Sequence, residues 1–154
     1  MKTQIFNRRR FLTLAATAII ASAIPMGAMA AKQNLLNGIA IQGYDAVAYF
    51  TQNAAVEGSE AFATEYNGAK YLFSSAENRD IFLGSPDKYA PQYGGFCAYA
   101  VSKGYTAAID PSAFSVVDNK LYLNYSKGVR TIWTKDTSGN IKLGNSNWPA
   151  LSVN

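Results

Sequence analysis

The chain has 154 residues, with 14 lysines and arginines against 10 aspartates and glutamates, one cysteine and no histidine. Its length suits one domain, and an apolar fraction of 49% is typical of a globular protein rather than a disordered one. The lack of histidine excludes histidine-based catalysis and histidine metal ligands, and the single cysteine excludes an intramolecular disulfide.

The formal charge of +4 comes entirely from the first 30 residues. They contain Lys2, Arg8, Arg9 and Arg10 and no acidic residue, so residues 31–154 have no net charge. A neutral domain without a basic stripe gives no support to nucleic-acid binding.

Residues 1–30 show the three-part layout of a cleaved signal peptide. The basic segment is followed by an apolar run over residues 12–24 and by the small-residue site Ala28-Met29-Ala30. This run is shorter than the roughly 20 apolar residues that a membrane span needs. We expect cleavage before Ala31, which leaves a mature domain of residues 31–154 without a stable membrane span.

The sequence Arg8-Arg9-Arg10-Phe11-Leu12 resembles the twin-arginine signal of bacteria. Proteins with this signal fold before they cross the membrane. We therefore expect the twin-arginine export machinery to be a partner during secretion and the mature domain to be periplasmic or secreted.

A hairpin is the clearest local prediction in the mature chain, because Asn67-Gly68 is a strong signal for a two-residue turn. Residues 45–50 precede it and are predicted to form a strand from their valine and aromatic content. The turn predicts these cross-strand partners: Tyr66 with Ala69, Glu65 with Lys70, Thr64 with Tyr71, and Phe62 with Phe73.

Short helices are predicted between this hairpin and a second one. Ser74 and Glu77 form a capping box for the first helix, which Gly84 ends. Ser85-Pro86 begins the next, and the segment after Gly94-Gly95 forms a third.

The second hairpin is predicted around Asp118-Asn119, with Phe114, Val116, Leu121 and Leu123 on one face. The whole order of elements predicts an α+β fold, in which small antiparallel hairpins pack with short helices in a single domain. After the second hairpin we expect a helix capped by Ser126, with Val129, Ile132 and Trp133 on one stripe, and a tail that packs on the core through Ile141, Leu143, Trp148 and Leu151.

Cys97 is the residue with the most distinctive reactivity, because a thiolate is both a nucleophile and a soft metal ligand. A place in the first turn of the predicted helix would favour the thiolate. The alternative is a small buried apolar side chain, as free cysteines commonly are. A cysteine–histidine hydrolase is excluded because the chain has no histidine to act as base.

Tyr93, Gly94 and Gly95 directly precede Cys97 and are predicted to shape its site as binding residues. Tyr44 and Asp45 are further candidates for its surroundings. A glycine pair before a helix can present N–H groups to an anion, but it commonly makes a tight turn. The 10 tyrosines could line a ligand pocket or pack half-buried on the sheets and helices.

Four segments resemble the YHS domain family, in its exported bacterial branch: residues 43–50, 66–75, 86–99 and 119–124. The resemblance implies metal handling, because YHS domains occur in heavy-metal transport proteins, where a Phe-Cys-Ser-x-x-Cys stretch follows the hairpin. This chain has Ser74 and Asn78 at those two cysteine positions. The branch also includes members with selenocysteine, and Cys97 is the position here that could correspond.

We therefore expect a functional centre at Cys97, used for thiol redox chemistry or for handling a transition metal such as copper or zinc, with Cys97 as the metal ligand. The alternative is a non-enzymatic binding module for a partner protein or a small ligand, with Cys97 merely buried. The sequence shows no catalytic acid–base constellation, so enzyme activity stays open at this point.

Overall fold

The computed structural model describes residues 31–153. The predicted signal peptide of residues 1–30 lies outside the described residues. The strands are β1 (Leu35–Leu36), β2 (Ile39–Ala40), β3 (Ser59–Tyr66), β4 (Ala69–Phe73), β5 (Asp110–Val117) and β6 (Lys120–Asn124). The helices are α1 (Ala48–Thr51), α2 (Ala76–Gly84), α3 (Pro86–Tyr89), α4 (Ala98–Ser102), α5 (Lys127–Trp133) and α6 (Thr137–Leu151), with 3₁₀ turns at Ile41–Gly43, Gln92–Gly95 and Thr134–Asp136.

The strands form two small sheets, and the predicted α+β class is confirmed. The first sheet has the order β1-β2-β4-β3, and β5 and β6 form the second. Most of the chain that joins them is helical. Helices α1 to α5 contact the strands, whereas α6 packs against α4.

The hairpin of β3 and β4 is confirmed. Asn67 and Gly68 have φ angles of 49° and 78°, the left-handed conformation that a tight hairpin turn requires. The pairs Tyr66–Ala69, Glu65–Lys70 and Thr64–Tyr71 occur as predicted. The pair Phe62–Phe73 is wrong, because the register shifts between Ser59 and Ala63 and Phe73 pairs with Ser59.

The strand predicted over residues 45–50 is wrong, because Ala48–Thr51 form helix α1. Asp45 is the cause. Its Oδ1 accepts hydrogen bonds from the backbone N–H groups of Val47 (2.9 Å) and Ala48 (3.2 Å), which starts a helical turn. This local bonding outweighs the β propensity of the valine and aromatic residues in the segment.

Helix α2 begins one residue later than the capping box predicts. Ser75, not Ser74, is the N-cap residue, and its Oγ accepts from the N–H of Asn78 at 3.1 Å. Ser74 is engaged elsewhere, since its hydroxyl donates to Asp45. The predicted helices after Ser85 and after the glycine pair are confirmed as α3 and α4.

The second hairpin is also confirmed, with Phe114 opposite Leu123 and Val116 opposite Leu121. Ser126 caps α5 as predicted, by accepting from the N–H of Val129 at 3.2 Å. Ile132 and Leu143 were predicted to pack inward, but their side chains are 45% and 48% exposed. Trp133, Ile141, Trp148 and Leu151 do pack in the core.

The core has two parts. The larger part lies between the two sheets, α1 and α2, and contains Tyr49, Phe73, Phe82, Cys97 and Leu123. The smaller part lies beneath α6 and is built on Tyr93, Val101, Tyr122 and Trp133. Across residues 31–153, no helix is long and apolar enough to cross a membrane.

Candidate functional site

Cys97 lies at the junction between the 3₁₀ turn at Gln92–Gly95 and helix α4, where it is the N-cap residue. Its backbone N–H donates to the carbonyl of Ala107 at 3.0 Å, and it forms a parallel bridge to Leu123 of β6. The residue is only 2% exposed. The sulfur therefore has a fixed position, held by a loop on one side and a strand on the other.

The sulfur of Cys97 has two polar neighbours at the end of β6. The backbone N–H of Tyr125 donates to Sγ at 3.3 Å, and Oδ1 of Asn124 lies 3.8 Å from Sγ. The same Oδ1 accepts from the N–H of Tyr99 at 3.2 Å, so Asn124 caps α4 in place of the cysteine side chain. The thiol in turn donates to Oδ1 of Asn124, so the sulfur accepts one hydrogen bond and donates another.

Asn124 also carries an unsatisfied donor beside Cys97. The side chain is fully buried, and its Nδ2 has no hydrogen-bond acceptor among the described residues. Because Oδ1 already accepts from Tyr99, turning the carboxamide over would orphan that N–H instead. A buried donor without a partner costs about 1–3 kcal/mol, and an acceptor brought beside it would relieve that cost.

A pocket of about 300 Å³ reaches Cys97 from the surface. Tyr99, Tyr105 and Tyr125 form much of its wall, and the remaining lining residues besides Cys97 are Ala100, Ala107 and Val129. Tyr105 and Tyr125 are 54% and 60% exposed, so two tyrosines stand at the opening while the thiol lies at the inner end. The lining contains no charged side chain.

Asp45 lies outside this pocket, at the centre of a buried polar cluster. Its carboxylate is fully buried and accepts five hydrogen bonds, of which two come from the start of α1. Oδ2 accepts from the N–H of Ser74 (2.9 Å), the Oγ of Ser74 (2.6 Å) and the Nδ2 of Asn78 (2.7 Å). The cluster ties α1 to the junction of β4 and α2.

The residues present do not fit the metal site that the resemblance implies. Ser74 and Asn78, at the two cysteine positions, both donate to Asp45, so their polar atoms are already engaged. Cys97 has no histidine or carboxylate beside it in its pocket, and the described residues contain no group of three or more cysteine, aspartate or glutamate ligands. Soft metal ions need several such ligands.

Tyr93 and Gly94 line a different hollow, a groove of about 480 Å³ that also contains Tyr66, Asp87 and Trp148. The hydroxyl of Tyr93 donates to Oδ1 of Asn145 at 3.0 Å. Burial, with a smaller contribution from Tyr122, raises the pKa of Tyr93 above its ordinary value. This phenol therefore stays protonated and acts as a donor.

The glycine pair is explained by close packing. Gly94 has a φ of 58°, and a Cβ built on it would lie 2.2 Å from the carbonyl oxygen of Lys32. The carbonyl of Gly94 accepts from the N–H of Asn34 at 2.9 Å, and that of Gly95 from the Asn34 side chain at 3.1 Å. The pair thus forms a tight turn against which the beginning of the described chain packs.

The predicted site residues are therefore found in three places. Cys97 is at its pocket, Tyr93 and Gly94 are at the groove, and Asp45 is in the polar cluster. Tyr44 lies near the cluster, with its hydroxyl 3.5 Å from Glu57. Sequence reasoning missed Asn124, because a single asparagine at the end of a predicted strand carries no signal for a contact 27 residues away.

The segment from α1 to the 3₁₀ turn at Gln92–Gly95 also resembles a known family. Residues 47–93 match the model of the YHS domain. This match supports the YHS family and covers α1, the first hairpin, α2 and α3, including Ser74 and Asn78. Cys97 and its pocket lie beyond the matched segment. Comparison with curated proteins and with solved structures gave no match.

Proposed function

We propose that this chain is an exported YHS-type protein whose functional group is the thiol of Cys97, used in reversible redox chemistry. One observation carries the proposal: the only cysteine of the chain lies at the inner end of a tyrosine-lined pocket, with a backbone N–H directed at its sulfur. A pocket of about 300 Å³ admits a small oxidant while it keeps larger thiols and proteins away from the sulfur.

Redox chemistry is favoured over metal handling by the donor set around the sulfur. A metal ion at Cys97 would have to be completed by tyrosine or amide oxygens, which are poor partners for copper or zinc beside one thiolate. A thiol that reacts by itself needs only access and a stabilised thiolate. The pocket supplies the access, and the N–H of Tyr125 supplies one donor that a thiolate would keep.

Export is part of the proposal and rests on the sequence of residues 1–30, with its arginine pair, apolar run and small-residue cleavage site. An exported thiol meets an oxidising environment. Because the chain has one cysteine, Cys97 cannot form an internal disulfide and remains available to react with an oxidant.

The proposal is tested by treating the folded mature protein with hydrogen peroxide and trapping sulfenic acid with dimedone. We expect native Cys97 to be labelled at least as fast as the same cysteine in the chain unfolded by urea, and Cys97→Ser to give no label. If the native protein stays unlabelled while the unfolded chain reacts, Cys97 is merely buried and the proposal is wrong.

The role of the pocket is tested by filling it without touching the thiol. Val129→Phe places a larger side chain in the lining, and we expect slower labelling of Cys97 by several-fold. Ile132→Phe is the matched control, because Ile132 lies on the same helix but is 45% exposed and outside the pocket. Equal rates in both variants would show that the oxidant reaches sulfur by another route.

A second candidate function is small-ligand binding in the groove, as a non-enzymatic module. It is favoured by the aromatic wall of Tyr66, Tyr93 and Trp148 beside the polar group of Asp87, to which the Tyr66 hydroxyl donates. Trp148 reports on this groove, since the other tryptophan, Trp133, is fully buried. A ligand that alters tryptophan fluorescence in the native protein but not in Trp148→Phe would support it, and Cys97→Ser should then respond like wild type.

A further inference from the structure

We propose that Asn124 stabilises an oxidised form of Cys97, so that the pocket holds a persistent sulfenic acid formed from a small hydroperoxide. This inference rests on the proposed function, which it deepens by naming the oxidant class and the group that retains the product. The observation behind it differs from the one behind the proposed function, because it is the unsatisfied donor of Asn124 rather than the position of the cysteine.

The acceptor that Asn124 lacks is what oxidation of sulfur would supply. Its Nδ2 is one of two buried side-chain nitrogens without a partner in the part of the chain that the structure describes. The carboxamide lies against Cys97, with Oδ1 3.8 Å from Sγ and held there by the N–H of Tyr99. We place an oxygen atom added to Sγ within reach of this donor, because Nδ2 belongs to the carboxamide whose Oδ1 contacts the sulfur. The cost of the buried Nδ2 is then relieved.

The step balances without a metal or cofactor. The sulfur of Cys97 attacks one oxygen of hydrogen peroxide, an S–O bond forms and the O–O bond breaks. The sulfur is oxidised by two electrons and the peroxide is reduced. The proton of the thiol passes to the second oxygen, which leaves as water. The product is Cys97 sulfenic acid, whose oxygen accepts from Asn124 and whose sulfur retains the N–H of Tyr125.

Persistence of this product follows from what surrounds it. The chain has no second cysteine, so a sulfenic acid cannot be resolved as an internal disulfide. Return to the thiol needs a small external thiol, which first forms a mixed disulfide with loss of water and is then displaced by a second thiol molecule. The opening between Tyr105 and Tyr125 limits this return to small reductants.

The test compares sulfenic acid lifetimes in variants of the full mature domain. Asn124→Asp keeps an oxygen for the N–H of Tyr99 and removes the Nδ2 donor. At about pH 8 we expect its sulfenic acid to decay about tenfold faster than in wild type, the equivalent of about 1.4 kcal/mol. The matched control is Asn140→Asp, a second buried asparagine, whose Nδ2 donates to Trp133 instead. Its sulfenic acid should decay at the wild-type rate.

A second measurement uses wild type alone, so it does not depend on how a variant folds. Nitrogen-15 NMR follows each side-chain amide during peroxide oxidation, and we expect the Asn124 Nδ2 signals to move downfield and become protected from exchange. An unmoved Asn124 amide, or equal lifetimes in Asn124→Asp and wild type, would overturn the inference while leaving Cys97 oxidation intact. Absence of any sulfenic acid in wild type would overturn both.

Discussion

At the scale of single residues, two buried polar side chains differ in whether all their hydrogen-bonding groups have partners. Asp45 and Asn124 are both fully buried. The carboxylate of Asp45 accepts hydrogen bonds from five donors. In the carboxamide of Asn124, Oδ1 accepts a hydrogen bond, but Nδ2 has no acceptor among the described residues. The first arrangement stabilises the fold, and the second marks the place where chemistry is expected.

The Asp45 cluster predicts a strong effect for a nearly isosteric change. Asp45→Asn removes the charge and turns an NH₂ group toward groups that are themselves donors, so buried N–H and O–H groups lose their acceptor. We expect the free energy of unfolding to fall by about 3 kcal/mol or more, measured by urea denaturation. Asp118→Asn, at an exposed turn, is the control and should change it by less than about 0.5 kcal/mol. If both variants lowered the free energy of unfolding by the same small amount, the Asp45 cluster would not stabilise the contact between α1 and α2.

At the scale of elements, local signals determine which predictions succeed. Both hairpins were predictable, since Asn67-Gly68 and Asp118-Asn119 adopt positive φ angles without help from the rest of the chain. Helix α1 was not, because its start depends on Asp45, whose other oxygen is fixed by Ser74 and Asn78 about 30 residues away. Cys97 was predictable as the only thiol, but Asn124 and the tyrosines around it are brought together by tertiary packing alone.

The docking of the first described residues against the 3₁₀ turn gives a prediction at this scale. Gly94→Ala combines a positive φ with a Cβ 2.2 Å from the Lys32 carbonyl oxygen, so the segment around Lys32 must move. We expect the loss of stability to exceed that of Gly68→Ala, which shares the positive φ but has nothing within 4 Å of the added Cβ. Gly68→Ala alone should cost about 1–2 kcal/mol. Similar losses in the two variants would show that the close approach is unimportant.

At the scale of the whole molecule, the core contains several buried phenols that are protonated in the folded protein. Burial raises the pKa of Tyr49, Tyr71, Tyr93 and Tyr122 above the ordinary value of 10.0. A phenol with a raised pKa contributes stability that is fully present below pH 10, the unfolded value, and is lost as the pH rises beyond it. The unfolded chain releases these protons first, so alkali favours unfolding.

This linkage predicts a steep alkaline loss of stability. A tyrosine whose pKa is raised on folding contributes a slope of up to about 1.4 kcal/mol per pH unit between its unfolded and folded pKa values. Urea midpoints measured from about pH 8 to about pH 11 should fall, and Tyr49→Phe, which removes the most buried phenol, should flatten the fall. Tyr105→Phe should not, because Tyr105 is 54% exposed. A wild-type curve as flat as that of Tyr49→Phe would contradict this account of the core.

The central claim, a redox thiol on an exported YHS-type domain, is tested most directly by the intact mass of the native protein recovered from cells after brief exposure to peroxide. We predict the mass of residues 31–154 with one added oxygen on Cys97, or with a small thiol in mixed disulfide, and its return to the unmodified mass after treatment with reductant. A protein that keeps residues 1–30, or one whose Cys97 is still an unmodified thiol after exposure, would contradict the claim.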